Sequence, residues 1–92
     1  MKIIYLNSFL KDIKKVQDKK VKKKLKEVIL ELEKANSLFE VERVVKMQGF
    51  SVAYRIKIDS YRAGIYSYDK TVEMARFIKR NDIYKVFPNK SN

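Results

Sequence analysis

Arg55, Lys57 and Arg62 are the residues of this sequence whose types and spacing best suit chemistry on an anion. They lie in "YRIKIDSYRAGIYSY", residues 54 to 68, where apolar and basic side chains alternate as on a half-buried strand. The period of two puts Tyr54, Ile56 and Ile58 on one face and Arg55 and Lys57 on the other. On the next strand Ala63 and Ile65 continue the apolar face, leaving Arg62, Gly64 and Tyr66 opposite. A short hairpin would gather the three cations into an exposed, concave patch away from the helices, with Tyr66 and Tyr68 nearby. Such a patch is a seat for phosphate. The same alternation also fits a strand face that is merely solvated, and the pattern alone does not choose.

The absent residue types narrow the chemistry. With no histidine, the usual general base near neutral pH and the commonest zinc ligand are missing. With no cysteine there is neither a disulfide nor a thiolate metal site, which agrees with a cytoplasmic protein. Gly49 and Gly64 form no phosphate-cradling loop, and Asp59 and Asp69 read as turn residues capping their own backbone, not as metal ligands. Any chemistry must run on Lys, Arg, Tyr, Asp and Glu, with no metal and no cofactor.

Ninety-two residues make one domain, 1–92, with a single modest core. Residues 2 to 6 read as a strand. Asn7 and Ser8 offer a helix cap ahead of Phe9, Ile13 and Val16, and Asp18 offers a second cap or a turn. Val21, Leu25, Val28, Ile29, Leu32 and Ala35 trace one stripe, so residues 19 to 35 form an amphipathic helix. Strands follow at 41–47, 53–58, 61–67 and 72–78, joined by short turns that predict an antiparallel meander. "NDIYKVFP" is a short helix capped by Asn81 and stopped near Pro88, and disorder is expected only at the tail "NKSN". The class is α+β: an N-terminal strand and a helical hairpin packed on one face of an antiparallel sheet of about four to five strands, then a short C-terminal helix.

The net charge of +11 exceeds what solubility asks and predicts a polyanionic partner: nucleic acid, an acidic protein or an anionic membrane. No apolar run approaches a membrane span, and the N-terminus lacks the core of a signal peptide. Residues 11 to 26 hold nine of the lysines and two aspartates. Lys20, Lys22, Lys23 and Lys24 within that run are candidates for a non-specific grip on RNA, and equally fit a solvated helix face.

"YRIKIDSYRAGIY" followed by "KRNDIYKVFP" resembles the RelE/ParE superfamily of bacterial toxin–antitoxin toxins, over almost the whole chain. The resemblance rests on Arg55 and Lys57 in a Y-R-I-[RK]-I strand, Arg62 on the next strand, and Arg80 and Tyr84 near the C-terminus. It implies one of two activities. RelE-like members are mRNA interferases that cut messenger RNA, typically in the ribosomal decoding site; ParE-like members inhibit DNA gyrase and cut nothing. Lys57, Arg62, Arg80 and Tyr84 match the interferase set, which favours the nuclease. Many relatives carry histidine where this chain has Lys79, here counted with Arg55 and Tyr66 among phosphate-binding candidates.

In such a site Lys57 is the candidate general base, since neighbouring cations favour a neutral amine, or failing that an electrostatic support. Arg62 would hold the scissile phosphate bidentately, Arg80 would stabilise the leaving oxygen, and Tyr84 would stack on a base or orient the sugar. Tyr84 also fits a core anchor of the last helix. The implied partners are a cognate antitoxin, mRNA and ribosomal RNA, with no membrane and no small-molecule cofactor. A gyrase inhibitor and an inactive nucleic-acid-binding relative remain the alternatives.

Overall fold

The strand-forming segments assemble into one five-stranded sheet in a computed structural model that describes residues 1–88; the tail expected to be disordered falls on 89–92, outside the described residues. The strands are β1 (Lys2–Tyr5), β2 (Val44–Lys46), β3 (Ala53–Ile58), β4 (Tyr61–Tyr68) and β5 (Thr71–Lys79), in the spatial order β1-β5-β4-β3-β2. β2 to β5 form the expected antiparallel meander. The β4–β5 turn is tight because Asp69 and Lys70 both take left-handed backbone angles, as a two-residue hairpin of matching twist requires. Asp59 does the same between β3 and β4.

β1 departs from expectation. It pairs with β5 in parallel, Ile3 opposite Val72, so the sheet is mixed. A parallel neighbour needs a long connection, and everything between residues 6 and 70 supplies it. β2 is also shorter than expected. Leu38 and Val41 are buried beneath the helices around a 3-10 turn at Leu38–Glu40, and Arg43 has a left-handed backbone, so extended pairing begins only at Val44.

Helices α1 (Asn7–Lys15) and α2 (Lys19–Lys34) cover one face of the sheet. Asp18 caps α2 by accepting hydrogen bonds from the backbone N–H groups of Lys20 and Val21. Val21, Leu25, Val28 and Leu32 then meet Ile56, Ile65 and Met74 of the sheet in the main core. α1 is held differently. Neither Asn7 nor Ser8 caps it; Ser8 Oγ donates instead to the carbonyl of Ala75. Helix α3 (Ile83–Val86) sits on the other sheet face from the helical hairpin. There Ile83 and Phe87 join Met47, Ala53 and Ala75 in a second, smaller core. Asn81 does not cap α3; that position is taken by Asp82, without a side-chain bond. No helix among the described residues is long and apolar enough to cross a membrane.

A bulge joins these layers. Pairing between β4 and β5 steps from Gly64–Arg76 to Ile65–Met74, so Ala75 is an extra residue in β5. Asp12 of α1, 5 % exposed, docks on it: its carboxylate accepts from the backbone N–H of Phe77 at 2.9 Å and from Arg76 Nε at 2.7 Å and Nη2 at 3.1 Å. The bulge shifts the side-chain phase, so that Val72, Met74 and Phe77 all face the helices. Beyond it Ile78 faces the second core, opposite Arg62.

Removing this carboxylate strands a buried N–H and a partly buried guanidinium. Asp12→Ala is expected to cost about 3 kcal/mol in urea unfolding, against about 1 kcal/mol for Asp18→Ala, which loses only a cap. Equal effects of the two substitutions would show that Asp12 is not what holds α1 to the sheet.

Candidate nucleic-acid interface

Cross-strand register builds the site. Lys57 stands directly opposite Arg62, and Arg55 opposite Gly64, so three cations share the sheet face turned from the α1–α2 hairpin. The bulge brings a fourth. Ile78 lies opposite Arg62 on this face, and Arg80, two residues on, is tied to the β3–β4 turn by its backbone N–H to Ser60 O. Arg55 and Arg80 both lie near enough to Arg62 to act on its charge.

Gly64 makes room for the remaining part. A β-carbon there would come within 2.7 Å of the Phe87 ring, so only glycine lets that ring lie on β4. Phe87 packs on Tyr66 as well, with ring centroids 5.1 Å apart. With Ile83 and Phe87 buried as the anchors of α3, Tyr84 is left 56 % exposed. Its ring lies under the guanidinium of Arg55, 5.8 Å from centroid to Cζ, a cation–π contact. Tyr84 is therefore a surface residue of the site and not a core anchor.

Arg62 corrects an expectation. It is not on an exposed face but 6 % exposed, and its Nη1 donates to the carbonyl oxygens of Asp59 at 2.9 Å and Tyr61 at 2.8 Å. Burial pulls its guanidinium below the ordinary arginine range, and the charges of Arg55 and Arg80 pull the same way, with Tyr84 opposing. No carboxylate pairs with Arg55, Lys57, Arg62 or Arg80 among the described residues. The cluster is a concentration of positive charge with no carboxylate partner among the described residues.

Other candidates lie elsewhere. Lys79 is opposite Tyr61, whose ring stacks on Phe77 at 5.0 Å in the main core, so Lys79 takes the helix side of the sheet. Tyr66 borders the site but is packed against Phe87. Tyr68 is farther along β4, donating to Glu73 at 2.6 Å, a bond that pushes its hydroxyl above the usual tyrosine range. Lys20, Lys22, Lys23 and Lys24 are exposed on α2, across the sheet from Lys57. Lys24 is already engaged: its Nζ lies 2.7 Å from Asp59 Oδ1 and, by that bond above all, holds the Asp59 carboxyl below its ordinary range. Asp59 thus ties its turn to α2 where self-capping was expected. Gly64 and Phe87 escaped sequence reasoning. A glycine in mid-strand was the available signal, because it marks a close approach.

Comparison with known proteins identifies the family and the fold. The chain is 34 % identical over 89 residues to Toxin RelE3 of Methanocaldococcus jannaschii, an alignment covering 96 % of this chain and all of that one. It superposes on a chain in the crystal structure of the RelB–RelE antitoxin–toxin complex from Methanococcus jannaschii with a TM-score of 0.79 and 32 % identity, over 92 % of this chain and 99 % of that one. A conserved hypothetical protein of Helicobacter pylori shares the fold at a TM-score of 0.55 and 20 % identity, over 88 % and 96 % of the two chains. No protein-family model matches. The class is thus that of small α+β toxins. Within it, this chain belongs to the RelE toxin family.

Because Arg62 is buried, its loss has a structural cost. Arg62→Ala leaves the Asp59 and Tyr61 carbonyls without their donor and is expected to destabilise the protein by about 1–3 kcal/mol in urea unfolding. Arg55→Ala, losing a surface cation–π interaction, is expected to cost under about 1 kcal/mol. The reverse order would contradict the burial of Arg62.

Proposed function

We propose that the protein is the toxin of a type II toxin–antitoxin pair and a metal-independent mRNA interferase, cutting messenger RNA on the ribosome in the cytoplasm. The observation that carries this reading is the gathering of Arg55, Lys57, Arg62 and Arg80 on one sheet face, with Tyr84 beside Arg55 and no carboxylate paired with them among the described residues. Such a face lowers the free energy of a dianionic phosphorane, as preorganised charge does in phosphoryl transfer.

Each residue has a role in that step. Lys57, exposed beside Arg62, takes the proton of the 2′-hydroxyl. The 2′-oxygen attacks phosphorus, the bond to the 5′-oxygen breaks, and the products are a 2′,3′-cyclic phosphate and a 5′-hydroxyl. Arg62, with Nη1 spent on two carbonyls, acts as a charged floor beneath the phosphate in place of a free bidentate clamp. Arg80, exposed on the rim, stabilises the charge on the departing 5′-oxygen while that oxygen takes a proton from solvent. Tyr84, more than half exposed, stacks on a base next to the scissile bond. The lysines of α2 contact ribosomal RNA at a distance from the chemistry. An antitoxin with an acidic segment covers the cationic face, as charge complementarity favours.

The test is to add purified protein to translating ribosomes and map new mRNA ends. Lys57→Ala is expected to lower single-turnover cleavage by about 100-fold or more at saturating protein while ribosome affinity holds. Lys20, Lys22 and Lys23 changed together to Gln are expected to do the opposite, reducing the log–log salt slope of ribosome binding by about 0.7–0.9 for each phosphate no longer neutralised. An absence of new ends with the wild-type protein would end the nuclease reading. Parallel losses in both variants would end the division of labour between the two sets of cations.

A further inference from the structure

A small pocket on the cationic side of the sheet has no part in the proposed reaction. Its volume is about 180 Å³, and it is lined by Leu6, Ser8, Tyr66, Ala75, Arg76 and Val86. Leu6, Tyr66 and Ala75 also belong to the second core, which places the pocket on the sheet face of Lys57 and Arg62. Helix α3 stands between the two. Tyr84 reaches toward Arg55, while Val86, two residues on and 40 % exposed, forms a wall of the pocket. An RNA strand passing from one to the other has a single helical turn to cross.

The bulge supplies its polar corner. Arg76 gives Nε and Nη2 to Asp12, so its charge is matched, while Nη1 donates to no group among the described residues. What it offers the pocket is a directed N–H and not an unmatched cation. No lysine and no other arginine lines the space among the described residues, so nothing there calls for phosphate. Ser8 spends its hydroxyl proton on the Ala75 carbonyl and keeps its oxygen lone pairs as acceptors. Leu6 and Val86 are apolar, and the Tyr66 ring, backed by Phe87, adds an aromatic wall. A flat, neutral group with an acceptor next to an N–H satisfies all of these walls. Uracil and guanine carry that pair, a keto oxygen beside a ring N–H, whereas cytosine and adenine put an amino group in the oxygen's place. The volume, that of about six waters, holds one base. We propose that this pocket is a subsite for a keto base, uracil or guanine, at a nucleotide beyond the one stacked on Tyr84. Arg76 Nη1 donates to the keto oxygen, and Ser8 Oγ accepts from the ring N–H. The inference rests on the RNA substrate proposed above and adds to it a source of sequence preference.

The test titrates the monophosphates of uridine, guanosine, cytidine and adenosine, and inorganic phosphate, into isotopically labelled protein. The amide signals of Ser8, Ala75 and Arg76 are followed by NMR. Circular dichroism checks the folds of Ser8→Ala and Val86→Trp, and mRNA ends are mapped with each form. The uridine and guanosine nucleotides are expected to move these signals with affinity at least about tenfold above the other two, because an amino group meets the Arg76 N–H donor to donor. Phosphate alone should leave them still. Val86→Trp fills the pocket from its exposed rim and should abolish the shifts. Ser8→Ala should narrow the difference between uridine and cytidine nucleotides to about threefold or less. On ribosomes the wild type should show uracil or guanine over-represented at one fixed distance from the cut, and both variants should reduce that bias. No shift with any nucleotide, equal shifts with all of them, or shifts with phosphate alone overturn the keto-base pocket. A base bias that neither variant alters overturns it and leaves the nuclease reading standing. Keto-selective shifts in a protein that yields no new mRNA ends remove only the nuclease.

Discussion

A carboxylate is costly to bury, and Asp12 is buried at the point where β5 carries one residue more than its partner strand. The cost is met because the bulge leaves the N–H of Phe77 free to donate to it and Arg76 closes on both oxygens. The arrangement is reciprocal. The extra residue is stabilised by a helix that bonds its exposed backbone, and the helix is fixed by a strand irregularity that offers the bonds. Most of the molecule depends on this exchange. Were β5 regular, the alternation set by Val72 and Met74 would carry Arg76, Ile78 and Arg80 to the helix side. The step at Ala75 instead delivers Phe77 to the main core and Arg80 to the face of Arg55, Lys57 and Arg62.

The two faces of the sheet are built on different terms. The helix side is an ordinary apolar layer of Val, Leu and Ile against Ile56, Ile65 and Met74. The other side has only a small apolar group around Ile83 and Phe87, and next to it an arginine buried without a counter-ion among the described residues. Carbonyl oxygens of the β3–β4 turn satisfy Arg62 geometrically, but they cannot cancel its charge or those of Arg55 and Arg80. Lys24 reinforces the same turn from beneath through Asp59. The turn is therefore held from both sides of the sheet, which keeps the cations in place although they repel one another.

What the sequence revealed was local in origin. The period of two in 53–58 and 61–67, the placing of turns at Asp59 and Asp69, the stripe from Val21 to Leu32 and the Asp18 cap each depend on neighbours within a few residues. The RelE resemblance was legible for a similar reason, since its signature residues occupy consecutive strands and the segment just after them. The rest depends on pairs far apart in the chain. Nothing near Lys2 announces a parallel partner at residue 71, and nothing around Met74 announces a bulge. Asp12 sits among lysines and reads as one more solvated charge until Phe77 is seen 65 residues away. Arg62 stands directly opposite the exposed Lys57, and only the carbonyls at the turn show that it points inward.

The parallel pairing of β1 with β5 also bears on when the molecule becomes whole. β1 is made first, yet its hydrogen-bonding partner is the last strand, about seventy residues later. A growing chain can form the α1–α2 hairpin and begin the meander, but it cannot complete the sheet, seat Asp12 or align Arg80 with Lys57 until residues 71–80 have left the ribosome. Pairings of such long sequence separation close late, because the loop entropy between them is lost before any bond repays it. A protein proposed to attack messenger RNA on ribosomes is thereby assembled only after the codons for β5 have been read.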